Sequence, residues 1–148
     1  MARYTTTRRL PYAPEQVFAL VADVERYPEF IPWITSLRTW NAKGEANGPG
    51  SVDAEASVGF SFLRERFATR VTRDPEAKVI DVGLLSGPFR KLANQWRFVP
   101  DGEGTRVEFV IDFEFRARLL DALLRANFDR AVNRLIVCFE ARAAQLYG

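Results

Sequence analysis

The sequence predicts an α+β fold, in which one antiparallel sheet is covered on its inner face by a long C-terminal helix. Two patterns predict it. Between Trp33 and Arg116 apolar and polar residues alternate with a period of two, and short segments containing Gly or Pro interrupt the alternation. Between Arg118 and Tyr147 there is neither Gly nor Pro, and the apolar residues gather on one side of a helix with about 100° per residue. With 148 residues, of which 47% are hydrophobic, the chain is expected to form a single domain, residues 1–148.

The chain is expected to begin with an edge strand, followed by short helices. The segment Ala2–Leu10 is rich in Thr and ends at Pro11, which suits a sheet edge because Pro cannot donate a ladder hydrogen bond. Pro14 stands at a typical first helical position, ahead of an amphipathic stretch. The segment Tyr27–Trp33 is aromatic but rich in Pro, so we expect a short turn or a helical cap there rather than a regular helix.

Six further strands are expected before the long helix, joined by turns short enough for antiparallel pairing. Their predicted ranges are Trp33–Asn41, Ser51–Phe60, Phe62–Arg73, Lys78–Leu85, Lys91–Val99 and Thr105–Arg116. Strand phase gives the inner side of this sheet a large aromatic and aliphatic surface with two polar exceptions, Glu65 and Asn94. Such a surface is either an ordinary packed core or the wall of a ligand pocket. The many inward Phe and Trp residues, and the cost of burying an unpartnered carboxylate or amide, favour the pocket.

The long helix is expected to place an apolar stripe on the sheet. The stripe consists of Leu120, Leu124, Phe128, Ala131, Leu135, Cys138, Phe139 and Leu146. Three more apolar residues, Leu119, Leu123 and Val137, lie about 100° or more from the centre of the stripe. We expect them to widen the buried face; the alternative is an apolar flank that contacts a membrane or a protein.

Composition excludes several functional classes. The chain has no His and one Cys, so it cannot build a Ser-His-Asp relay, a His metal site or an internal disulfide, and no metal site is expected. The carboxylates Asp53 and Glu55 point outward by strand phase and no acidic pair points inward, so we expect a protein that is not an enzyme. The net charge of +2 is scattered, which does not favour DNA binding. The sequence shows no apolar signal or membrane-spanning run, and a cytoplasmic protein is expected.

Several segments carry a family resemblance. They are Tyr-Pro-Glu-Phe-Ile-Pro-Trp at 27–33, Phe67–Val71 in a central strand, Gly-Pro-Phe-Arg-Lys-Leu at 87–92 ahead of Trp96, and Phe128–Val132 in the last helix. Together they resemble the coenzyme-Q-binding branch of the START-like (polyketide cyclase/dehydrase) superfamily, which includes bacterial ribosome-association toxins. The resemblance implies a helix-grip fold with a hydrophobic tunnel that binds ubiquinone or a related polyprenyl lipid, supporting respiratory electron transport as a carrier or chaperone. It implies no cofactor beyond that bound ligand.

The resemblance also implies which residues line the tunnel. The positions that carry over from the family are Pro32, Trp33, Leu63, Phe67, Phe89, Leu92 and Trp96. Strand phase and the helix stripe add Glu65, Val82, Leu84, Asn94, Phe113, Leu120, Leu124 and Phe128. Among these, Glu65 and Asn94 are the candidates for orienting the oxygen atoms of a quinone; the alternative for Glu65 is an ion pair with an arginine or a position at the rim. A transient contact with the inner face of a membrane fits such a carrier.

Two other functions remain open at this point. The first is a toxin that binds the large ribosomal subunit and blocks subunit association, for which Arg64, Arg66, Arg70 and Arg73 would offer a basic strand face. The second is a cyclase or aromatase of polyketides, which the absence of an inward acid/base pair disfavours.

Overall fold

The computed structural model describes residues 2–45, 48–60 and 63–148, and describes Ala2, Phe60 and Leu63 by their backbone alone. Seven strands are present: β1 (Ala2–Leu10), β2 (Ile34–Gly44), β3 (Gly50–Phe60), β4 (Leu63–Asp74), β5 (Val79–Ser86), β6 (Phe89–Asp101) and β7 (Gly104–Phe115). Three α-helices accompany them: α1 (Pro14–Ala22), α2 (Tyr27–Phe30) and α3 (Arg118–Tyr147). The predicted order of elements is confirmed, with Phe62 of the predicted third strand outside the described residues.

All seven strands form one antiparallel sheet in the order β1-β7-β6-β5-β4-β3-β2. Consecutive strands from β2 to β7 pair with each other because their turns are short, and β1 closes the sheet on the free side of β7. The end of β3, the start of β4, the β5–β6 turn and the β7–α3 link therefore lie at one end of the sheet. The other turns and α1 lie at the opposite end.

The helix α3 packs against β7, β1, α1 and α2. Its direction is fixed at both ends: the Tyr4 hydroxyl donates to the Arg125 carbonyl oxygen at 3.1 Å, and the Tyr147 hydroxyl donates to the Gln16 carbonyl oxygen at 3.1 Å. Between them, the Arg8 guanidinium donates to a Glu140 carboxylate oxygen at 2.9 Å. This curved sheet gripping one long helix is the helix-grip architecture that the sequence predicts.

The core divides into two clusters. The larger one joins α1, the second half of α3 and the neighbouring part of the sheet, and includes Trp96, Phe98 and Phe139. The smaller one lies under the first half of α3 and centres on four buried residues, Phe89, Leu92, Phe113 and Phe115. Ile111 of β7 contacts both clusters.

Two expectations for α3 are wrong. Leu146 of the predicted stripe is 49% exposed, because it lines a cavity rather than the packed core. Leu119, Leu123 and Val137 do not widen the buried face; they are 84%, 37% and 49% exposed. The buried residues of α3 are Ile136, Phe139 and Ala143, of which Phe139 belongs to the predicted stripe.

Candidate ligand groove between the sheet and the long helix

We infer a groove between the first half of α3 and the inner face of β3 to β5 from the partial burial of the side chains on both sides. Because α3 packs over β7 and β1, the inward side chains of the strands further along the sheet are only half-buried. We define the inner groove by its half-buried apolar residues: Trp33, Val58, Phe67, Val82, Leu84, Leu120, Leu124 and Phe128. Apolar side chains that face an interior and still touch solvent are typical of a pocket wall.

Most of the predicted site residues come together at one end of this groove. Phe67, Leu84, Leu120, Leu124 and Phe128 all pack against the buried Phe89, Leu92 and Phe113. The ring of Phe67 meets Phe89 edge to face at 5.5 Å between centroids, and Phe113 stacks on Phe128 at 4.5 Å. Edge-to-face and offset contacts of this kind hold aromatic rings in fixed positions. Strand phase and helix periodicity therefore identified a contiguous surface.

Tyr4 belongs to the same surface, and the sequence analysis did not select it. Its ring lies 4.4 Å from that of Phe128 and 6.0 Å from that of Phe113. Strand alternation could have identified Tyr4, because it shares one face of β1 with Thr6, Arg8 and the buried Leu10. Three of those four residues are polar, however, and that obscured the inward face of the strand.

Gly87 fixes the position of Phe67. Its φ of +142° lies in a region that residues with a side chain rarely adopt, and a Cβ atom there would lie 2.6 Å from the Phe67 Cβ. The β5–β6 turn can therefore approach β4 closely only with glycine at this position.

Asn94 makes two hydrogen bonds within the protein, one through each end of its amide. Its Nδ2 donates to the Val110 carbonyl oxygen at 2.9 Å, and its Oδ1 accepts from the indole Nε1 of Trp96 at 2.8 Å. An amide has two N–H donors, so one donor remains for a ligand. Trp96 itself is buried and packs at 4.8 Å against Phe109 and 5.1 Å against Phe139. Asn94 and Trp96 thus form part of the inner surface of the sheet beside Val82.

Glu65 lies on the inward side of β4, opposite Val58 and half-buried. Among the residues that the structure describes, none hydrogen-bonds to its carboxylate or forms an ion pair with it. A carboxylate in a partly apolar environment is costly without a partner, so Glu65 is, beside the second N–H of Asn94, a candidate group for contact with a ligand.

Three predicted site residues do not lie at the smaller core cluster. Pro32 is exposed between α2 and β2, whereas the neighbouring Trp33 is half-buried and packs on the larger cluster. Leu63 is the first residue of β4, and its side chain lies outside the described residues.

A separate cavity of about 420 Å³ lies at the opposite end of the sheet. Its walls come from the end of α1, the first part of β3 and the end of α3, with Phe30, Val52 and Leu146 among the apolar residues. Arg142 reaches into this region, where its Nη2 donates to Glu29 at 3.1 Å. None of the predicted site residues lines this cavity.

The outward carboxylates are engaged by arginines. Asp53 is 3% exposed, and its two oxygens accept from Arg70 at 2.8 and 3.2 Å and from Asn41 at 3.1 Å. The hydrogen bond from Arg70 is the main reason why the pKa of Asp53 lies below its ordinary value. Glu55 lies 3.5 Å from Arg38. These carboxylates stabilise the outer face and are not aimed at the groove.

The predicted basic face of β4 requires a correction. Arg64, Arg66 and Arg70 are exposed on the outer face, but Arg73 is 8% exposed and points inward. Alternate residues of a strand share a face, and Arg73 differs from the others by an odd number of positions. Its guanidinium donates to backbone carbonyl oxygens of the β2–β3 turn, including that of Glu45 at 3.0 Å.

Comparison with known proteins places this geometry in a family. The sequence matches the family described as polyketide cyclase / dehydrase and lipid transport over residues 10–140. It is 32% identical to the ribosome association toxin RatA of Rickettsia prowazekii, covering 99% of both chains. It is 30% identical to the mitochondrial coenzyme Q-binding protein COQ10 homolog B of Xenopus laevis, covering 98% of this chain and 59% of that protein.

Solved structures show the same fold. The solution structure of the 18 kDa protein CC1736 from Caulobacter crescentus is 61% identical, with a TM-score of 0.83 and coverage of 100% of this chain and 99% of that one. A START superfamily protein from Mycobacterium smegmatis is 20% identical with a TM-score of 0.83, covering 97% of this chain and 98% of that one, and shows the fold alone. Within the described ranges, no helix has the length and apolar character to cross a bilayer.

Proposed function

The chain belongs to the polyketide cyclase/dehydrase and lipid transport family, and from this we propose that it binds a polyprenyl quinone, ubiquinone or a close relative, in the inner groove. The observation that supports the proposal is a set of half-buried apolar side chains, among them Phe67, Leu84 and Leu124, that pack against one buried aromatic cluster. The relative named as a coenzyme Q-binding protein supports this choice of ligand.

The chemistry of the groove fits an isoprenoid chain. Burial of apolar surface gives about 0.8 kcal/mol per CH₂, so each five-carbon unit would contribute roughly 4 kcal/mol before the cost of ordering. The free N–H of Asn94 can donate to a quinone oxygen. Glu65 can donate to a quinone oxygen only when it is protonated, and it can accept from a quinol hydroxyl when it is ionised.

A binding role without turnover fits the residues that face the groove. Acid/base catalysis usually needs two groups within reach of the reacting atoms. In the described part of the chain Glu65 is the acidic residue on the inner face of β4, while Asp53 and Glu55 lie on the outer face with arginine partners. We therefore favour a carrier or chaperone over a cyclase.

The test is a titration of the purified chain with quinone in mild detergent. Binding is measured by the quenching of Trp fluorescence. Leu124→Arg places a charge in the inner groove, where it would have to be buried beside the ligand, and we expect at least tenfold weaker binding. Val137→Arg is the matched control, because Val137 lies on the exposed side of the same helix. We expect that variant to bind like the parent chain.

Circular dichroism of both variants shows whether the fold survives. Equal quinone affinity in a folded Leu124→Arg variant and in the parent chain would contradict binding in the inner groove. Failure of the parent chain to bind any polyprenyl quinone would contradict the proposed ligand class.

A second candidate function is association with the large ribosomal subunit. It is favoured by the similarity to proteins named ribosome association toxin RatA and by the exposed Arg64, Arg66 and Arg70 on the outer face of β4. Two of these arginines are already occupied, since Arg70 lies 2.8 Å from Asp53 and Arg66 lies 4.0 Å from Glu55. The surface is therefore less basic than the row of arginines suggests.

Sedimentation in sucrose gradients tests this candidate. Association through phosphate contacts would weaken steeply with salt and would be reduced by the charge reversal Arg64→Glu. Absence of co-sedimentation with the large subunit at low salt would dispose of it, without affecting the quinone proposal.

A further inference from the structure

Four exposed arginines without a carboxylate partner lie at one end of the molecule. Most arginines of the described chain lie within 4.0 Å of an acidic oxygen, as Arg8 does with Glu140. Arg64, Arg90, Arg116 and Arg118 have no such partner among the described residues, and they lie at the start of β4, at the start of β6 and in the link from β7 to α3. Two further exposed arginines without such a partner, Arg97 and Arg130, lie elsewhere, late in β6 and in the middle of α3.

Exposed leucines occupy the same end. Leu119 is 84% exposed in the first turn of α3, and Leu123 follows one turn later at 37%. Leu85 at the end of β5 is 42% exposed. The backbone joins these segments: the Arg116 N–H donates to the Pro88 carbonyl oxygen at 2.9 Å, and the Arg116 Nε donates to the Phe89 carbonyl oxygen at 3.2 Å.

We call this region the basic end and define it by its exposed arginines and leucines: Arg64, Leu85, Arg90, Arg116, Arg118, Leu119 and Leu123. The nearest acid on α3, Asp121, is already engaged, accepting from the Phe115 N–H at 3.0 Å and from Arg125 at 2.6 Å. Its lowered pKa, caused first by the backbone hydrogen bond, keeps it ionised and paired.

The opposite end of the sheet exposes charges of both signs. Glu45, Asp74, Glu76 and Glu103 are exposed there, and so are Lys43 and Arg97. The basic end differs in that its exposed charges are arginines, and such a local positive potential attracts a negatively charged surface.

We propose that the basic end docks on a bilayer that contains anionic lipids, with Leu119, Leu123 and Leu85 entering the interface and the four arginines meeting the phosphate groups. Charge complementarity identifies the occupant, because exposed apolar side chains and arginines without a carboxylate partner at one end of the molecule match a surface that is both apolar and anionic. The inner groove ends at the same place, since Leu120 and Leu124 line it from the first turns of α3. Docking here would bring the groove to the lipid phase.

This inference goes beyond the proposed function, because docking can be measured without any quinone. The purified full chain is floated with vesicles of phosphatidylcholine alone and with vesicles in which about one lipid in four is phosphatidylglycerol. We expect flotation with the anionic vesicles only, and loss of binding as salt is raised.

Two variants test the two components of the basic end. Leu119→Asp changes a side chain that is 84% exposed, so the fold should survive, and vesicle affinity should fall about tenfold or more. The double variant Arg116→Gln, Arg118→Gln should weaken binding to anionic vesicles by a similar factor.

Val137→Asp is the matched control. Val137 lies 18 positions after Leu119, which is five turns of 3.6 residues, so the two side chains point the same way about 27 Å apart. Val137→Asp introduces the same charge on the same side of α3 at a distance from the basic end. We expect its vesicle affinity to equal that of the parent chain.

Several results would overturn the proposal. The first is absence of flotation of the parent chain. The second is equal loss in Leu119→Asp and Val137→Asp, which would indicate non-specific adhesion of the helix. The third is a dimer, measured by light scattering, that Leu119→Asp dissociates, which would assign the basic end to a second copy. The fourth is loss of ribosome co-sedimentation in the double arginine variant with vesicle binding unchanged, which would assign the end to RNA.

Discussion

Two polar residues on the inner face of the sheet, Asn94 and Glu65, differ in whether the protein supplies them with hydrogen-bond partners. Asn94 and Glu65 are both predicted as polar residues of an apolar surface, and strand phase places both correctly on the inner face. Only the structure distinguishes them: Asn94 is tied to Val110 and Trp96, whereas Glu65 has no partner among the described residues. Sequence reveals which way a side chain points, but a hydrogen-bond partner 16 residues away depends on sheet register.

The buried ion pair of Asp53 makes stability depend on pH. Because Arg70 and Asn41 hydrogen-bond to the carboxylate, its pKa in the folded chain lies below the ordinary value of 3.8. The unfolded chain therefore takes up this proton first as pH falls. The contribution of Asp53 to stability is complete above its unfolded pKa and is lost as pH falls from about 4 through the folded pKa.

We predict that Asp53→Asn reduces the slope of unfolding free energy against pH in this acidic window. Arg70→Gln, which removes the main donor while keeping the carboxylate, should reduce the slope as well. Urea unfolding at a series of pH values measures both. If the slope in Asp53→Asn equals that of the parent chain, the Asp53–Arg70 ion pair does not contribute to the pH dependence of stability.

At the scale of elements, the β5–β6 turn packs closely against β4 at Gly87, next to the groove residue Phe67. We predict that Gly87→Ala destabilises the chain by about 1–3 kcal/mol, because the added Cβ would lie 2.6 Å from the Phe67 Cβ. The displaced Phe67 should also weaken ligand binding. Gly83→Ala is the matched control, since a Cβ at Gly83 meets no atom within 4 Å.

Urea unfolding and quinone titration of the two alanine variants give the comparison. We expect Gly83→Ala to have the stability and affinity of the parent chain. Equal stability of Gly87→Ala and Gly83→Ala would contradict the close approach of the turn to β4.

The elements also show what periodicity can and cannot predict. The bounds of α3 are predicted correctly because Arg118–Tyr147 contains no helix breaker. Its exposed residues are not, because the share of the helix circumference that the rest of the chain covers depends on tertiary packing. Leu119 and Val137 lie on the outer side of the helix, and Leu146 lines the cavity near its C-terminal end.

At the scale of the whole molecule, strand order, antiparallel pairing and the covering helix follow from alternation, short turns and the long final helix. The presence of four arginines without a carboxylate partner at one end does not follow from the sequence, because it depends on which arginines find a carboxylate across the sheet. Arg70 and Arg64 lie on the same strand face, yet Arg70 pairs with Asp53 while Arg64 has no acidic partner in the described structure.

The central claim is that the inner groove holds a long apolar guest. The most direct measurement is mass spectrometry of an organic extract of the chain purified from its own organism in the absence of detergent. We predict a polyprenyl quinone or quinol at close to one molecule per chain, and its absence from an extract of the folded Leu124→Arg variant. An extract of the parent chain that contains no polyprenyl lipid, together with no uptake of added quinone, would contradict the account.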